Sequence, residues 1–374
     1  MQVGGSAAPF CTDYALFLSS SLLHNLLMKN PIRNLVTVVF IFGTIACLIT
    51  STYAQKPSGY HLLNRIEVGG EGGWDYLIAD ADAHRLYVSH ATKVVVIDTS
   101  TDKVVGEIAG LNGVHGIAFA DKLGKGFISN GRDNSVTIFD LKTLKVLDTV
   151  KVDKNPDCIL FDPGSDRVFA FNRGASNASA IDAATGKVVA TIDLGGTPEF
   201  AAADGKGMVY VNLDNKSQIA AIDSKALKVT AHWPAAPGED TVGMAIDRKN
   251  NRLFVSCGNK KMVVIDAATG KVVADVPIGD SSDAAGFDPD WKNAFSSNGE
   301  GTLTVIHEDG KDKYSVVETV KTERGGRTMA LDTKTHKVYI AVAKYGETPA
   351  ATTANLRPRP PMIPNSFAIV VYGK

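Results

Sequence analysis

Four carboxylates, one imidazole and one guanidinium recur at nearly regular intervals along the chain, each near the start of a short apolar segment. They are Asp75, His115, Asp157, Glu199, Asp283 and Arg327. If these segments lie side by side, the carboxylates and His115 converge and could hold a hard cation such as Ca²⁺, or a borderline metal through the imidazole. They would also raise one another's pKa values and could supply a general acid or base. The alternative is that these polar groups line a wet channel and hydrogen-bond water.

A second group of side chains could surround such a site and bind a ligand. It comprises His90, Arg132 and Arg173, which follow apolar segments of the repeat described below, and Trp74, which precedes Asp75. Histidine and arginine can orient a polar ligand, and Trp74 could stack on one. Packing of Trp74 against a neighbouring repeat unit is the competing interpretation.

The elements that would position these residues are set out by an internal repeat. The ten-residue segment IDAATGKVVA occurs at Ile181 and again at Ile265, and looser copies surround both. The aspartates of the copies are Asp98, Asp140, Asp182, Asp223 and Asp266, so the steps are 42, 42, 41 and 43 residues. A sixth copy has His307 in place of the aspartate. A period in the forties made of short strands and turns is typical of a propeller blade.

Each unit contains four short strands, and we count seven units. Their first, inner strands start near Trp74, Gly113, Pro156, Pro198, Thr241, Asp283 and Arg327. We therefore predict an all-β fold, a seven-bladed β-propeller with four-stranded antiparallel blades. The seventh unit lacks an outer strand, and the spare segment Tyr60 to Val68 would complete it and remove an exposed edge. An open array of six units is the alternative.

The alignment of the units places the chemical residues in one column. Counting back from the aspartate that ends each inner strand brings Asp75, Asp157, Glu199, Asp283 and Arg327 together. His115 joins them with a shift of one residue, and unit five contributes Val242. In an antiparallel meander these positions would ring one mouth of the central channel.

Residues 1–54 differ from the rest and predict a secretory signal. A short basic segment starts at Met28, an apolar run follows from Leu35 to Ile49, and Ala54 ends a cleavage-site pattern. We expect Met28 as the true start, cleavage after Ala54, and a periplasmic or secreted protein without an integral membrane span. An uncleaved N-terminal membrane anchor is the alternative.

Residues 55–374 are predicted to form a single domain, a propeller with one irregular insertion at 344–365. The proline-rich part of this insertion, Arg357 to Pro361, should adopt polyproline II conformation. Residues 55–374 contain two cysteines, Cys158 and Cys257. They fall in units three and five, which are too far apart for a disulfide. We predict two buried or partly buried thiols.

The composition and missing motifs exclude several functions. The formal net charge is −1 and 21% of residues are charged, which disfavours nucleic acid as a partner. Arg132, Arg173 and Arg327 could nevertheless form a local basic patch, which leaves binding of single-stranded DNA as a further alternative. The chain has no haem-attachment, dinucleotide-binding, P-loop or nucleophile-elbow motif. No cofactor is therefore expected with certainty, and a divalent cation, Ca²⁺ or another, is the one candidate.

The repeat resembles the YVTN-repeat β-propellers, the YncE-like family. The resemblance covers Tyr60 to Lys374 and rests on segments such as LYVS, VYVN and LFVS followed by a VxVID hairpin. It departs from the family's G-x-x-P entry to the inner strand, because only Pro156 and Pro198 match. The resemblance implies a periplasmic or surface-exposed binding propeller, and some related propellers are lactonases or quinoprotein subunits.

The function predicted from the sequence is an exported, monomeric binding scaffold. It would present a polar funnel, ringed by carboxylates, to a small molecule, peptide or protein partner. The absence of a catalytic motif favours binding over catalysis. The alternative is a metal-assisted hydrolase or lactonase that uses the acidic ring, with His115 or one carboxylate as base.

Overall fold

The computed structural model of the chain describes residues 58–350, 358 and 360–374. The predicted signal segment, with Met28 and Ala54, lies outside these residues, as do Arg357 and Arg359 of the proline-rich insertion. Among the described residues, no helix is long and apolar enough to cross a membrane.

The described residues form seven four-stranded antiparallel sheets, which confirms the predicted seven-bladed propeller. Blades one to three consist of β2 (Trp74–Asp80), β3 (Arg85–His90), β4 (Lys93–Asp98) and β5 (Lys103–Ala109); β6 (Val114–Ala120), β7 (Lys125–Asn130), β8 (Ser135–Asp140) and β9 (Val146–Lys151); β10 (Pro156–Asp162), β11 (Arg167–Asn172), β12 (Asn177–Asp182) and β13 (Val188–Asp193). Blades four and five consist of β14 (Pro198–Ala203), β15 (Met208–Leu213), β16 (Gln218–Asp223) and β17 (Lys228–Pro234); β18 (Thr241–Asp247), β19 (Arg252–Cys257), β20 (Lys261–Asp266) and β21 (Val272–Pro277).

Blade six is regular, whereas blade seven is assembled from both ends of the described chain. Blade six consists of β22 (Ser282–Asp288), β23 (Asn293–Asn298), β24 (Thr302–Gly310) and β25 (Lys313–Lys321). Blade seven consists of β26 (Met329–Asp332), β27 (Lys337–Val342), β28 (Ala368–Gly373) and, outermost, β1 (His61–Glu67). Within the described residues, three short 3₁₀ turns cover Asp121–Leu123, Gly131–Asp133 and Asp214–Lys216.

The N-terminal strand closes the ring as the sequence predicted. β1 runs antiparallel to β28, from the His61–Gly373 pair to the Glu67–Ala368 pair. The inner strand of blade seven is shorter than predicted, because β26 begins at Met329 and Arg327 precedes it.

The core of the described part of the chain consists of seven apolar clusters, one between each pair of neighbouring blades. The two middle strands of a blade are covered on both faces by its neighbours, so their sequences are continuous apolar runs such as Met262–Ile265 of β20. The outer strands have one solvent-exposed face, so exposed and partly buried residues alternate along them, as in β17. The blades therefore stack because no single sheet can bury both of its faces.

The hairpin between the third and fourth strands follows the repeated aspartate. Asp182 Oδ1 accepts the backbone N–H of Thr185 at 2.8 Å, and Asp266 Oδ1 accepts that of Thr269 at 3.2 Å. Gly186 and Gly270 take positive φ in this turn, as expected. Leu144 and Leu227 adopt the same left-handed conformation in the equivalent turns.

The two ends of the insertion at 344–365 pair with each other through their backbones where they meet blade seven. Tyr345 bridges Met362, the Gly346 N–H donates to Pro361 O at 2.8 Å, and the Ile363 N–H donates to Lys344 O at 2.8 Å. The antiparallel pairing of β27 and β28 therefore continues into the first and last residues of the insertion.

Candidate functional site

The first residues of the inner strands share one register. In blades one to six the first inner residue pairs with the last residue of the second strand, in the pairs Trp74–His90, Val114–Asn130, Pro156–Asn172, Pro198–Leu213, Thr241–Cys257 and Ser282–Asn298. The next residues are Asp75, His115, Asp157, Glu199, Val242 and Asp283. We call this set the channel column.

His115 belongs to the channel column without the shift that the sequence predicted. β6 ends at Ala120, which pairs with Lys125, so His115 lies five residues before the strand end, as Asp75 does in β2. The predicted shift was wrong because it took Asp121 as the end of the strand. Asp121 lies in a 3₁₀ turn instead.

Polar residues near the ends of the second strands hold the backbone of the channel column. Ser89 Oγ accepts the N–H of Asp75 at 2.9 Å. Ser129 Oγ accepts the N–H of Gly116 at 2.8 Å and donates to the carbonyl of Asp157, in the next blade, at 2.5 Å. The Ser129 hydroxyl therefore bridges the inner strands of blades two and three at the level of the column, whereas the Ser89 bond lies within blade one.

Asp75, His115 and Asp157 come together at the mouth of the channel. His115 Nδ1 lies 2.6 Å from Asp75 Oδ2 and 3.5 Å from Asp157 Oδ1. One donor atom from each residue lies within 4.8 Å of the other two. Asp157 is only 7% exposed, and its Oδ1 has no hydrogen-bond partner among the described residues. The side chains of His115 and Asp75 are 27% and 24% exposed, so solvent reaches the cluster.

Gly131 provides the space that the His115 ring occupies. A Cβ on Gly131 would lie 2.7 Å from His115 Nε2 and 2.5 Å from Asn155 Oδ1. The backbone at Gly131 does not have positive φ, so this glycine serves close approach rather than turn geometry.

The other two carboxylates of the column face guanidinium groups. Arg173 hydrogen-bonds Glu199 through Nη1, and its Nη2 donates to Asp214 Oδ2 at 2.5 Å. Arg327 Nη1 lies 3.2 Å from Asp283 Oδ2, although the Arg327 side chain is 55% exposed. The column therefore divides into one histidine–carboxylate cluster and two ion pairs.

Burial dominates the ionisation of the carboxyl groups. Burial, together with the charge of Asp75, raises the pKa of Asp157 to about 7 against the opposing effect of His115. Burial and then the charge of Asp157 raise the pKa of Glu199 to about 8, which Arg173 only partly offsets.

In Asp283 and His115, burial and nearby charges also oppose each other in their effect on the pKa, and the stronger effect differs between the two residues. Burial raises the pKa of Asp283 to about 6, with Arg327 opposing it. Burial lowers the pKa of His115, but the hydrogen bond that its Nδ1–H donates to Asp75 and the nearby carboxylate charges outweigh it, so the pKa lies above its ordinary value.

An aromatic contact lies directly below the channel column. Tyr76 of β2 and Phe200 of β14 follow Asp75 and Glu199, and their ring centroids are 4.5 Å apart at 35°. These strands belong to blades one and four, on opposite sides of the ring, so the two rings meet across the channel axis.

The remaining predicted residues lie around the mouth in different environments. His90 is 1% exposed and stacks on Phe367 of blade seven at 4.2 Å, and Trp74 packs on the same ring at 5.0 Å. Both side chains therefore contribute to the interface between blades one and seven. Arg132 lies exposed on the Gly131–Asp133 turn.

The structure also contains a cleft that the sequence did not reveal. It has a volume of about 340 Å³ and lies between blades five and six, at the opposite ends of the inner strands from the channel column. Its lining includes Asp247, Arg252, Glu308 and Asp312. Arg252 bonds Asp312 at 2.7 Å and Asp266 at 2.9 Å, so the cleft's most buried cation is already paired. The sequence feature that could have indicated this cleft is the long β24–β25 hairpin, which forms one of its walls.

Comparisons with known proteins agree on the fold. Residues 132–287 match the family model described as outer membrane protein assembly factor BamB. No curated protein matches the chain. A chain of the Kuenenia stuttgartiensis hydrazine synthase structure is similar, with a TM-score of 0.64 and 17% identity over 75% of this chain and 96% of that one.

A second solved structure gives the same result. A chain in the crystal structure of the mitotic checkpoint complex has a TM-score of 0.63 and 12% identity, over 78% of this chain and 90% of that one. Identities this low show a shared architecture alone. The protein is therefore a seven-bladed β-propeller whose residues 132–287 match the BamB model, while the YVTN-repeat resemblance stays a prediction.

Proposed function

We propose that this protein is a binding propeller whose channel column holds a small organic cation, such as an amine or a guanidine. The observation that carries the proposal is the convergence of Asp75, Asp157, Glu199 and Asp283 at one register of rigid inner strands. Carboxylates that face one another in a partly buried mouth are stabilised by a bound positive charge. The match of residues 132–287 to an assembly factor supports a binding role over a catalytic one.

Export is part of the same proposal. The basic segment at Met28, the apolar run and the site after Ala54 support secretion to the periplasm or beyond. There the mouth would meet small ligands or the cationic side chain of a partner.

A titration of organic cations tests the proposal. Wild-type protein should bind members of a panel of amines and guanidines, measured by calorimetry, with affinity that falls as salt rises. Glu199→Gln and Asp283→Asn should each weaken binding at least tenfold, which corresponds to about 1.4 kcal/mol. Asp148→Asn, an exposed carboxylate on β9, removes the same charge far from the mouth and should have no effect. Equal loss in all three variants, or no binding by the wild type, would contradict the proposal.

Metal-assisted hydrolysis is a second candidate, favoured by one observation. The carboxyl group of Glu199 has a pKa of about 8 and lies in the same column as the donors Asp75, His115 and Asp157. A carboxyl group that titrates near neutral pH can act as general acid or base beside a metal-bound water. Turnover of ester or lactone substrates that requires an added divalent ion and is lost in Glu199→Gln would support it. Absence of any turnover with metal bound would remove it.

A further inference from the structure

The cluster of Asp75, His115 and Asp157 has the spacing of metal ligands. Donor atoms about 2.1 Å from a tetrahedral ion lie about 3.4 Å from one another. The observed distances from His115 Nδ1, 2.6 Å to Asp75 and 3.5 Å to Asp157, lie on either side of that value. To admit an ion, the Asp75 carboxylate would have to move away from His115 Nδ1.

The buried oxygen of Asp157 is an independent indication that a ligand belongs here. Asp157 Oδ1 is fully buried without a hydrogen-bond partner among the described residues, on a side chain that is 10% exposed. A buried acceptor without a partner is costly. This oxygen points at the cluster, since His115 Nδ1 lies 3.5 Å away.

Distance decides which carboxylates belong to the site. Glu199 and Asp283 face Arg173 and Arg327 instead, and among the described residues the donor atoms that lie within 4.8 Å of one another are those of Asp75, His115 and Asp157. The sequence offered five candidate metal ligands, and the structure reduces them to three. The partly exposed sides of Asp75 and His115 leave room for water or a ligand at the remaining coordination positions.

The donor types select the metal. Three protein donors that include an imidazole nitrogen suit a first-row transition metal such as Zn²⁺ or Co²⁺. Ca²⁺ requires six to eight oxygen ligands, and Mg²⁺ prefers an octahedral shell made mostly of oxygen. Of the two kinds of metal that the sequence left open, the donor set therefore favours the borderline metal over Ca²⁺.

We infer that Asp75, His115 and Asp157 bind one divalent transition-metal ion at the channel mouth. The inference rests on the proposed function, because it assigns an inorganic ligand to part of the same column. The inner strands hold the ligands in place, with Ser89 bonded to the backbone of Asp75 and Ser129 to that of Asp157. Few changes on binding are needed, which favours affinity.

The test is a titration of the full chain, freed of metal by a chelator, with Co²⁺. We expect visible absorption bands that saturate at one ion per chain and disappear when Zn²⁺ displaces Co²⁺. Ca²⁺ and Mg²⁺ at the same concentration should not compete. Asp157→Asn and His115→Gln should each weaken Co²⁺ binding by at least about 100-fold, because alteration of a residue that only orients a metal ligand already costs about 10–100-fold.

Two further variants separate this site from the rest of the column. Asp148→Asn should leave Co²⁺ affinity unchanged, and Asp283→Asn should change it less than threefold while it weakens binding of organic cations. Circular dichroism and the melting temperature of each variant establish that it is folded. Unchanged Co²⁺ affinity in folded Asp157→Asn, or equal losses in Asp157→Asn and Asp148→Asn, would overturn the inference. Organic-cation binding without a Co²⁺ site would also overturn it and would leave the proposed function standing.

Discussion

At the scale of single residues, burial outweighs ion pairing in the channel column. Asp283 faces Arg327 at 3.2 Å, yet its pKa lies near 6, because the carboxylate is buried while the guanidinium is largely in water. The arginine can move away from the pair at little cost, whereas the carboxylate cannot. Such a group stabilises the fold when it is protonated.

Asparagine at position 283 should therefore stabilise the protein at pH 8. An unfolded aspartate titrates near 3.9, about two pH units below the folded pKa, so wild type loses stability as the pH rises from about 4 to about 6. The variant carries no charge at any pH, and its gain should reach up to about 3 kcal/mol above pH 7 and vanish near pH 4. Urea unfolding of Asp283→Asn, of Asp148→Asn and of wild type at both pH values measures this. A loss of stability at pH 8 would show that the ion pair matters more than burial.

The residues of the column could be predicted from the sequence, but their partners could not. Asp75, Asp157, Glu199 and Asp283 follow from counting along the repeat. The pairing of Glu199 with Arg173 depends on contacts between side chains of neighbouring blades, which no repeat period encodes. His115 was misplaced by one residue, because the end of β6 is set by its pairing with β7 and not by an aspartate.

At the scale of elements, β1 closes the propeller. It supplies the fourth strand of blade seven, and Ile66 packs with Phe367 and Ile369 in the cluster between blades seven and one. The exposed face of the same strand carries Leu62. The strand thus joins the two ends of the ring through backbone pairing and through one buried side chain.

Ile66→Ala should destabilise the fold by about 2–5 kcal/mol, because it leaves a cavity in a cluster where Ile66 is 5% exposed. Leu62→Ala on the same strand removes a side chain that is 52% exposed and should cost less than about 0.5 kcal/mol. Chemical denaturation of both variants gives the comparison. Equal, small effects would mean that β1 contributes only its backbone to closure.

The turns show which local rules the sequence reveals and which it hides. Gly186 and Gly270 were expected in the left-handed conformation, and they adopt it. Leu144 and Leu227 adopt it too, although leucine is strained there. The aspartate hydrogen bonds and strand pairing of the hairpin hold the turn in shape, so the repeat overrides the preference of the single residue.

At the scale of the whole molecule, the seven clusters between blades form a closed circle. Each blade depends on two neighbours, so no blade can leave without exposing two apolar faces. Cys158 and Cys257, in blades three and five, are both free and buried, as predicted from their spacing. Burial raises the pKa of Cys257 to about 12 and also raises that of Cys158.

Both thiols should therefore resist alkylation in the native state and become reactive together. Pulses of iodoacetamide at increasing urea, followed by mass spectrometry of the peptides that contain Cys158 and Cys257, should give the same midpoint for both. The shared midpoint follows from unfolding of the ring as one cooperative unit. Earlier labelling of either cysteine would show that its blade opens independently.

The contact between Tyr76 and Phe200 across the channel axis affects how a ligand could reach and leave the channel column. The contact narrows the central channel directly behind the channel column. A ligand bound at the column would have to pass these two rings to leave by the far end of the channel, so we expect it to enter and leave by the mouth. We therefore expect the mouth to favour a compact ion or the tip of a single side chain over an extended polymer that runs through the channel.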